Sequence, residues 1–289
     1  MQQQKSFKNM NQGKLYLVPT PIGNLEDMTF RSVKILKEVN LIASEDTRNT
    51  KKLLNHFEIE TRQLSLHEHN VKERVPELIE LLLGGTNIAQ VSDAGMPSIS
   101  DPGHELVLNA IKEEVDVIAL PGASAGITAL IASGIAPQPF LFYGFLPRKN
   151  NEQKVAMDQL KDNQASLIFY ESPHRIVKTL INMSIVFGEE RQVVLCRELT
   201  KLFEEYTRGT IKELIEFFNE KTIKGECCLI VEGYDGVSEI SESEQELSIK
   251  EHVEWLMENQ HLKNKEAIKE VAKKRGLKKQ DVYKEYHTK

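Results

Sequence analysis

The sequence predicts an α/β protein of two domains followed by a small helical unit, and three observations predict it. Up to about residue 233, short apolar runs alternate with amphipathic stretches, the pattern of βαβ units and a mainly parallel sheet. At 289 residues the chain is about twice the ordinary length of one domain. Beyond that point the charge separates. Glu232 to Glu251 holds seven acidic residues against one lysine, whereas His261 to Lys289 holds ten Lys/Arg against four acids. With 40% hydrophobic and 28% charged residues the composition excludes a disordered chain, and a net charge of −6 excludes a protein coated in positive charge.

The elements follow in order. Strands are expected at Leu15–Val18, Leu41–Ala43, Ile88–Val91, Val115–Leu120 and Phe140–Phe145. Helices are expected between them at Arg31–Val39, Lys51–Phe57, Val75–Leu83, His104–Ile111 and Ala123–Ala132. A second series has strands at Leu167–Tyr170, Val193–Leu195 and Cys227–Val231, with helices near Gln153–Leu160, Ile176–Val186 and Ile211–Phe218. The polar cluster Arg148-Lys149-Asn150-Asn151 marks the crossing between domains. The expected division is therefore a disordered lead-in (1–13), an N-terminal α/β domain (14–147), a C-terminal α/β domain (148–233), an acidic linker (234–250) and a basic helical tail (251–289).

Other features narrow the class. Thirty-one residues between Asp116 and Arg148 carry no charge, but prolines and glycines break them into pieces too short to span a bilayer, so they read as buried strand, loop, buried helix and strand. The lead-in lacks the apolar core of a signal peptide. Cys196, Cys227 and Cys228 form no metal-ligand spacing and fit a reduced, cytoplasmic setting. His67 and His69 are spaced as ligands without a third partner nearby, and no metal is expected.

In open α/β sheets ligands bind beyond the carboxyl ends of strands, so the loops there are the candidate site. The first, Val18-Pro19-Thr20-Pro21-Ile22-Gly23-Asn24, lacks a dinucleotide glycine fingerprint and disfavours a nicotinamide fold. The loop after Val91 brings Asp93-Ala94-Gly95-Met96 and Asp101; Asp101 before Pro102 reads as a helix cap, whereas Asp93 is open to ligand contact or turn formation. Pro121-Gly122-Ala123-Ser124-Ala125-Gly126 leads into a helix whose small residues allow either close ligand approach or tight helix–sheet packing. Charged loops complete the set: Glu45-Asp46-Thr47-Arg48, His67-Glu68-His69-Asn70, Glu171-Ser172-Pro173-His174-Arg175 and Arg197-Glu198-Leu199-Thr200-Lys201. Ser172-Pro173 looks like a cap, and Glu198 has Arg197 as a local ion partner.

These motifs, with Ile99-Ser100-Asp101-Pro102-Gly103 and Gly144-Phe145-Leu146-Pro147, stand in the order in which they resemble the ribosomal RNA small subunit methyltransferase I family, a branch of the tetrapyrrole methylase superfamily. The resemblance covers about residues 13–233. Met96 and Ser98 replace the usual Thr and Gly, and Asn70-Val71 stands where Asn-Glu is usual. The resemblance implies two α/β domains of tetrapyrrole methylase type with S-adenosylmethionine in the cleft between them, a homodimer, and methylation of a cytidine ribose 2′-hydroxyl in the decoding region of bacterial 16S ribosomal RNA. It places the cofactor against Pro19, Ile22, Asp93, Ala94, Gly95, Met96, Ser124, Ala125, Tyr170 and Glu198.

Methyl transfer to a weakly acidic hydroxyl benefits from a base and from a cation beside the developing alkoxide. Glu45, Asp46, Glu171 and His174 are the base candidates, and Arg197 and Lys201 complete the catalytic set. Arg48, Arg148 and Arg175, with Lys273, Lys274, Arg275, Lys278 and Lys279 of the tail, are the expected RNA contacts. Two rival readings remain: a methyltransferase for a small tetrapyrrole, against which the basic tail argues, and an RNA-binding module with a vestigial cleft.

Overall fold

The structure is a computed structural model that describes residues 2–5, 12–236, 247–259 and 262–287, apart from the side chain of residue 273. Residues 1 and 6–11 of the expected lead-in, and 237–246 of the expected linker, lie outside the described residues. The chain divides into two compact units, residues 1–161 with 165–232, and residues 162–164 with 233–289.

The larger unit is built on two five-stranded sheets. In the first, β1 (Leu15–Leu17), β2 (Leu41–Ser44), β3 (Gln63–Ser65), β4 (Ile88–Val91) and β5 (Val117–Ala119) lie in the order β3-β2-β4-β1-β5, all parallel. Helices α1 (Phe30–Glu38), α2 (Thr47–His56), α3 (Val71–Leu83) and α4 (His104–Lys112) connect them. Separate apolar cores lie around Leu36, Ile42 and Leu54 and around Leu15, Leu78 and Leu106, so both faces are covered, as a parallel sheet requires.

The second sheet is mixed: β6 (Phe140–Phe145), β7 (Ser166–Glu171), β8 (Gln192–Arg197), β9 (Glu205–Thr210) and β10 (Cys227–Val231) lie in the order β6-β7-β10-β8-β9. Only the β6–β7 pair is parallel. Helices α6 (Asn150–Asp158), α7 (Ile176–Phe187) and α8 (Ile211–Phe218) cover one face around Phe169, and α5 (Ala125–Ser133) covers the other around Leu130, Ile168 and Ile230.

Four expectations need correction. First, β6 pairs with β7, and α5 packs on the same sheet, so the chain crosses between sheets at 121–124 instead of near 148–151. Arg148 to Asn151 is polar because it opens α6, an exposed helix start within the second lobe. Second, β5 and β6 are edge strands and stay half-exposed, although the uncharged stretch reads as buried. Third, β3 and β9 were not expected; both are polar edge strands, Gln-Leu-Ser and Glu-Tyr-Thr-Arg-Gly-Thr, whose pairing gives little hydrophobic signal. Fourth, the lead-in is tied down at Gln4, whose side-chain amide donates to Val117 O at 2.9 Å while its Oε1 accepts from Val117 N at 3.0 Å. The outward N–H and carbonyl of Val117 on edge strand β5 are thereby satisfied.

The smaller unit contains α9 (Ile249–Asn259), α10 (Asn264–Lys274) and α11 (Lys279–His287) around a core of Val253, Leu256, Ile268, Val271 and Val282. Among the described residues no helix is long and apolar enough to cross a membrane.

Candidate functional site

The carboxyl-end loops of the first sheet and the facing elements of the second enclose a cavity of about 820 Å³. The β1 loop is pinned to the β4 loop by a two-way bridge: Thr20 N donates to Gly95 O and Gly95 N to Thr20 O, both at 3.0 Å. Gly95 sits at φ +75°, where a side chain is strained, and a Cβ there would meet Ile22 Cγ2 at 3.3 Å. Asp93 ties the β2 loop in as well. Its N–H donates to Glu45 Oε2 (3.2 Å), while its carboxylate accepts from Asp46 N (3.3 Å) and Asn49 Nδ2 (2.9 Å).

Among the described residues the cavity lining includes Glu45, Asp93, Asp101, Glu171 and Glu226 and no lysine, arginine or histidine. Burial raises the Glu45 carboxyl above its ordinary value, with the charges of Asp101, Asp93 and Asp46 acting in the same direction against the Asp93 N–H. Burial likewise raises Asp101, again with Asp93 adding to it. Asp101 is not a cap: α4 begins at His104 with Gly103 as its N-cap at φ 133°. A Cβ at Gly103 would overlap Gln90 Nε2, so the helix starts two residues later than Pro102 suggests, and Asp101 is left lining the cavity.

The opposite wall is aromatic and apolar. Tyr170 accepts from Gly126 N at 3.0 Å and meets Phe142 and Phe145 edge-on with centroids 5.1 and 5.5 Å away. Burial pushes its phenol up to about 12, so it stays neutral. The thiols of Cys196, Cys227 and Cys228 line the same wall and are free; burial pushes the first two up to about 12 and raises the third well above its ordinary value, which makes them inert packing groups.

Of the residues named from the sequence, Glu45, Glu171, Ile22, Asp93, Ala94, Gly95, Met96, Ser124, Ala125 and Tyr170 line this cavity together. Pro19 lies beside it, under Gly122, where an added Cβ would come 2.5 Å from the Pro19 Cβ. Small residues around 122–126 therefore serve packing as well, since a Cβ at Gly126 would meet Ile168 and Phe142.

Others are engaged elsewhere. Asp46 caps α2 and pairs with Arg48 at 2.7 Å, and these contacts hold its carboxyl down to about 2. Arg197 pairs at 2.6 Å with Glu205, its cross-strand partner on β9, while neighbouring Glu198 has left the strand at φ 52°. Glu198 accepts from Glu226 N and Lys201 Nζ, which hold its carboxyl below the ordinary range; Lys201 also reaches Glu226 at 2.9 Å. His174 and Arg148 are exposed outside the lining. Arg175 donates to Pro147 O (2.8 Å) and pairs with Glu171 at 3.4 Å. It is also the residue before α7, which starts at Ile176, so Ser172-Pro173 belongs to a preceding turn and is not the cap. Buried Glu171 is fully engaged, accepting from Ser172 N and Thr179 Oγ1.

Phe142, Phe145 and Leu199 were not named as site residues from the sequence, since apolar residues at the ends of strands are explained equally well by a core, and Asp101 was named there only as a cap.

Residues 14–215 match the family model for tetrapyrrole (corrin/porphyrin) methylases. Over 99% of its length the chain is 55% identical to 99% of the ribosomal RNA small subunit methyltransferase I of Streptococcus pyogenes serotype M1. It is 51% identical to the protein of that name in Bacillus subtilis (strain 168), covering 100% of this chain and 99% of the other. The uroporphyrin-III C-methyl transferase of Thermus thermophilus, solved in complex with S-adenyl homocysteine, superposes with a TM-score of 0.54 at 15% identity over 76% of this chain and 97% of the other.

Proposed function

Because the chain belongs to the tetrapyrrole methylase family, and within it to the ribosomal RNA small subunit methyltransferase I group, we propose that it uses S-adenosylmethionine to methylate the ribose 2′-hydroxyl of a cytidine in the decoding region of 16S ribosomal RNA. One observation carries the reading: Glu45, Asp93 and Asp101 line a cavity with no cationic side chain among its described lining residues, while its other two carboxylates, Glu171 and Glu226, are paired with Arg175 and Lys201, so the cavity suits a cationic ligand and repels free phosphate. The donor set fits S-adenosylmethionine, whose sulfonium and ammonium are positive and whose adenine suits the apolar wall of Phe142, Tyr170 and Leu199. Ile22, Asp93 to Met96, Ser124 and Ala125 would hold it. When bound, it supplies an electrophilic methyl carbon.

The chain's own residues do the rest. Asp93 fixes the β2 and β4 loops relative to each other, which sets the line of approach. Glu45 takes the hydroxyl proton as the oxygen gains its methyl group; its raised affinity for protons makes it a stronger base than an exposed carboxylate. Phe145 and Ile99, both exposed at the cavity, shield the reacting centre from water once the acceptor is seated. Arg48, with its side chain 88% exposed near Asp93, and the exposed Arg148 hold RNA phosphates outside the cavity. The basic helical unit adds affinity. The enzyme acts in the cytoplasm as a homodimer; adjacent Leu202 and Phe203, 90% and 69% exposed, form the kind of apolar patch a second copy covers.

Tritiated methyl transfer to small subunits from cells lacking this protein tests the activity. Label is expected at one cytidine ribose, read after nuclease digestion as an alkali-resistant dinucleotide. Label on a base, or none, rejects the reading.

A further inference from the structure

Strand β6 carries aromatic residues at Phe140, Phe142, Tyr143 and Phe145, and strict alternation would send Phe142 and Phe145 to opposite faces of the sheet. They end on the same face. The pairing with β7 slips by one residue between Phe142 and Gly144: Phe142 stands opposite Ile168, Gly144 opposite Phe169 and Phe145 opposite Tyr170. Tyr143, the extra residue, leans on Phe169 with ring centroids 5.7 Å apart, on the other side of the sheet. The bulge draws on Gly144, which sits at φ +80°, and it turns Phe145 onto the cavity face beside Phe142.

A bulge that served only the core would bury the ring it re-aims. Phe145 is instead 60% exposed, and Ile99 is 63% exposed; among the described lining residues these are the two most exposed large apolar side chains. They belong to one mouth. A Cβ at Gly144 would come 4.0 Å from Ser100 Oγ, so the chain neighbours of Phe145 and Ile99 meet where β6 passes the β4 loop. The ring is also held: Tyr170 meets it edge-on at 5.5 Å and is itself fixed by the Gly126 N–H. Ile22 and Leu199, deeper in the lining, are buried and suit the small cofactor, whereas a ring open at the mouth meets the ligand that enters from outside. Arg148, exposed three residues further on, lies within about 10 Å along the chain and offers a cation to a flanking phosphate.

We propose that Phe145 is a stacking platform for the base of the acceptor nucleotide, presented at the cavity mouth by the bulge at Tyr143-Gly144. The assignment rests on the RNA substrate proposed above. An aromatic face takes any unpaired base without reading its hydrogen-bonding edge, so the platform positions the ribose over the cavity and does not choose cytosine over uracil.

A fluorescent RNA hairpin with one unpaired cytidine in its loop, bound to the full chain saturated with S-adenosylhomocysteine, tests the platform as a double cycle. Replacing that cytidine by an abasic site should weaken binding to the wild type by about tenfold, as should Phe145→Ala with the intact hairpin. The two losses should not add: Phe145→Ala should bind both hairpins alike within about twofold. Phe145→Trp should keep wild-type affinity, whereas Phe145→Leu, which retains apolar bulk without a ring, should lose it. A wild type indifferent to the abasic site, additive losses, or a Phe145→Leu variant as good as wild type overturn the proposal. So does Phe145→Ala with about tenfold weaker S-adenosylhomocysteine binding by calorimetry, which gives the ring to adenine, or with a dissociated dimer in sedimentation, which gives it to a second copy. Wild-type protein that shows the coupling but labels no ribose leaves the platform standing and rejects the activity. Ribose labelling of subsaturating small subunits by Phe145→Ala at the wild-type rate does the reverse.

Discussion

The loops after β2 and β4 and the loop after β8 carry the same residue types at comparable strand ends, yet their carboxylates are in opposite states. Glu45 and Asp101 face a cavity with no cation in its lining, and burial raises both. Glu198 is held down by the Glu226 N–H and by Lys201, and Arg197 is matched to Glu205. The contrast sharpens between neighbours, since Asp46, one residue from Glu45, is held at about 2 by Arg48. Charge at a strand end therefore does not identify a catalytic group; the absence of a compensating cation separates proton-accepting loops from loops that clasp the fold.

The sharpest break of this comparison is Glu45→Gln. A general base contributes on the order of 100-fold or more, so the single-turnover methylation rate should fall by about that factor with cofactor affinity nearly intact. Stability should move the other way. Because the folded Glu45 binds its proton more tightly than the unfolded chain does, the stability it contributes is full below the unfolded pKa and lost as pH rises through the folded one. At neutral pH the variant should melt higher than wild type, and the difference should vanish in acid. A rate loss without this gain would mean Glu45 serves only to hold Asp93.

Asp93→Ala comes next. It removes the acceptor for Asp46 N and Asn49 Nδ2, contacts that hold the β2 loop against the β4 loop. Hydrogen bonds to charged groups are worth about 1.5–3 kcal/mol, so calorimetry should show cofactor affinity about tenfold weaker or worse. Unchanged affinity removes Asp93 from the site.

How far these distinctions were legible follows from what each residue's neighbours are. Parallel strands β1, β2 and β4 are buried on both sides and announce themselves as apolar runs, and their loops therefore fell at the right places. Asp101 was misread because Asp-Pro satisfies a local capping rule, while the contact that sets the helix start, Gly103 against Gln90, spans two elements. From the sequence Arg197 and Lys201 read as catalytic and Glu198 as a cofactor contact, because the groups that engage them, on Glu205 and Glu226, sit on another strand or loop. The second lobe's boundary was misplaced for a related reason: the true crossing, Pro121 to Ser124, is apolar and small because it lines a cavity, so it carries no linker signature.

On the clasping side, Glu198→Gln should lower melting temperature at neutral pH and leave the methylation rate within about threefold. Its depressed carboxyl stabilises the fold above the unfolded pKa and loses that effect as pH falls through the folded one, so the deficit should shrink in acid. The backbone there is at φ 52°, which the Glu226 and Lys201 contacts help to hold. A large rate loss at full cofactor affinity would move this loop into the catalytic machinery.

The smallest effect belongs to Asp46→Asn, and it tests the comparison between chain neighbours. Asp46 is paired with an arginine whose side chain is 88% exposed, a geometry in which screening leaves little net stabilisation. Asparagine caps a helix about as well as aspartate, so α2 should keep its start, and melting temperature should change little. The carboxyl is already held near 2, so it stays ionised throughout the range in which the enzyme can be assayed and adds no limb to the pH–rate profile. Wild type and Asp46→Asn should therefore share the same acid limb, whereas Glu45→Gln should lack it. If instead the limb vanishes in Asp46→Asn and persists in Glu45→Gln, the proton acceptor is the paired carboxylate, and burial beside uncompensated charge is not what marks the base in this fold.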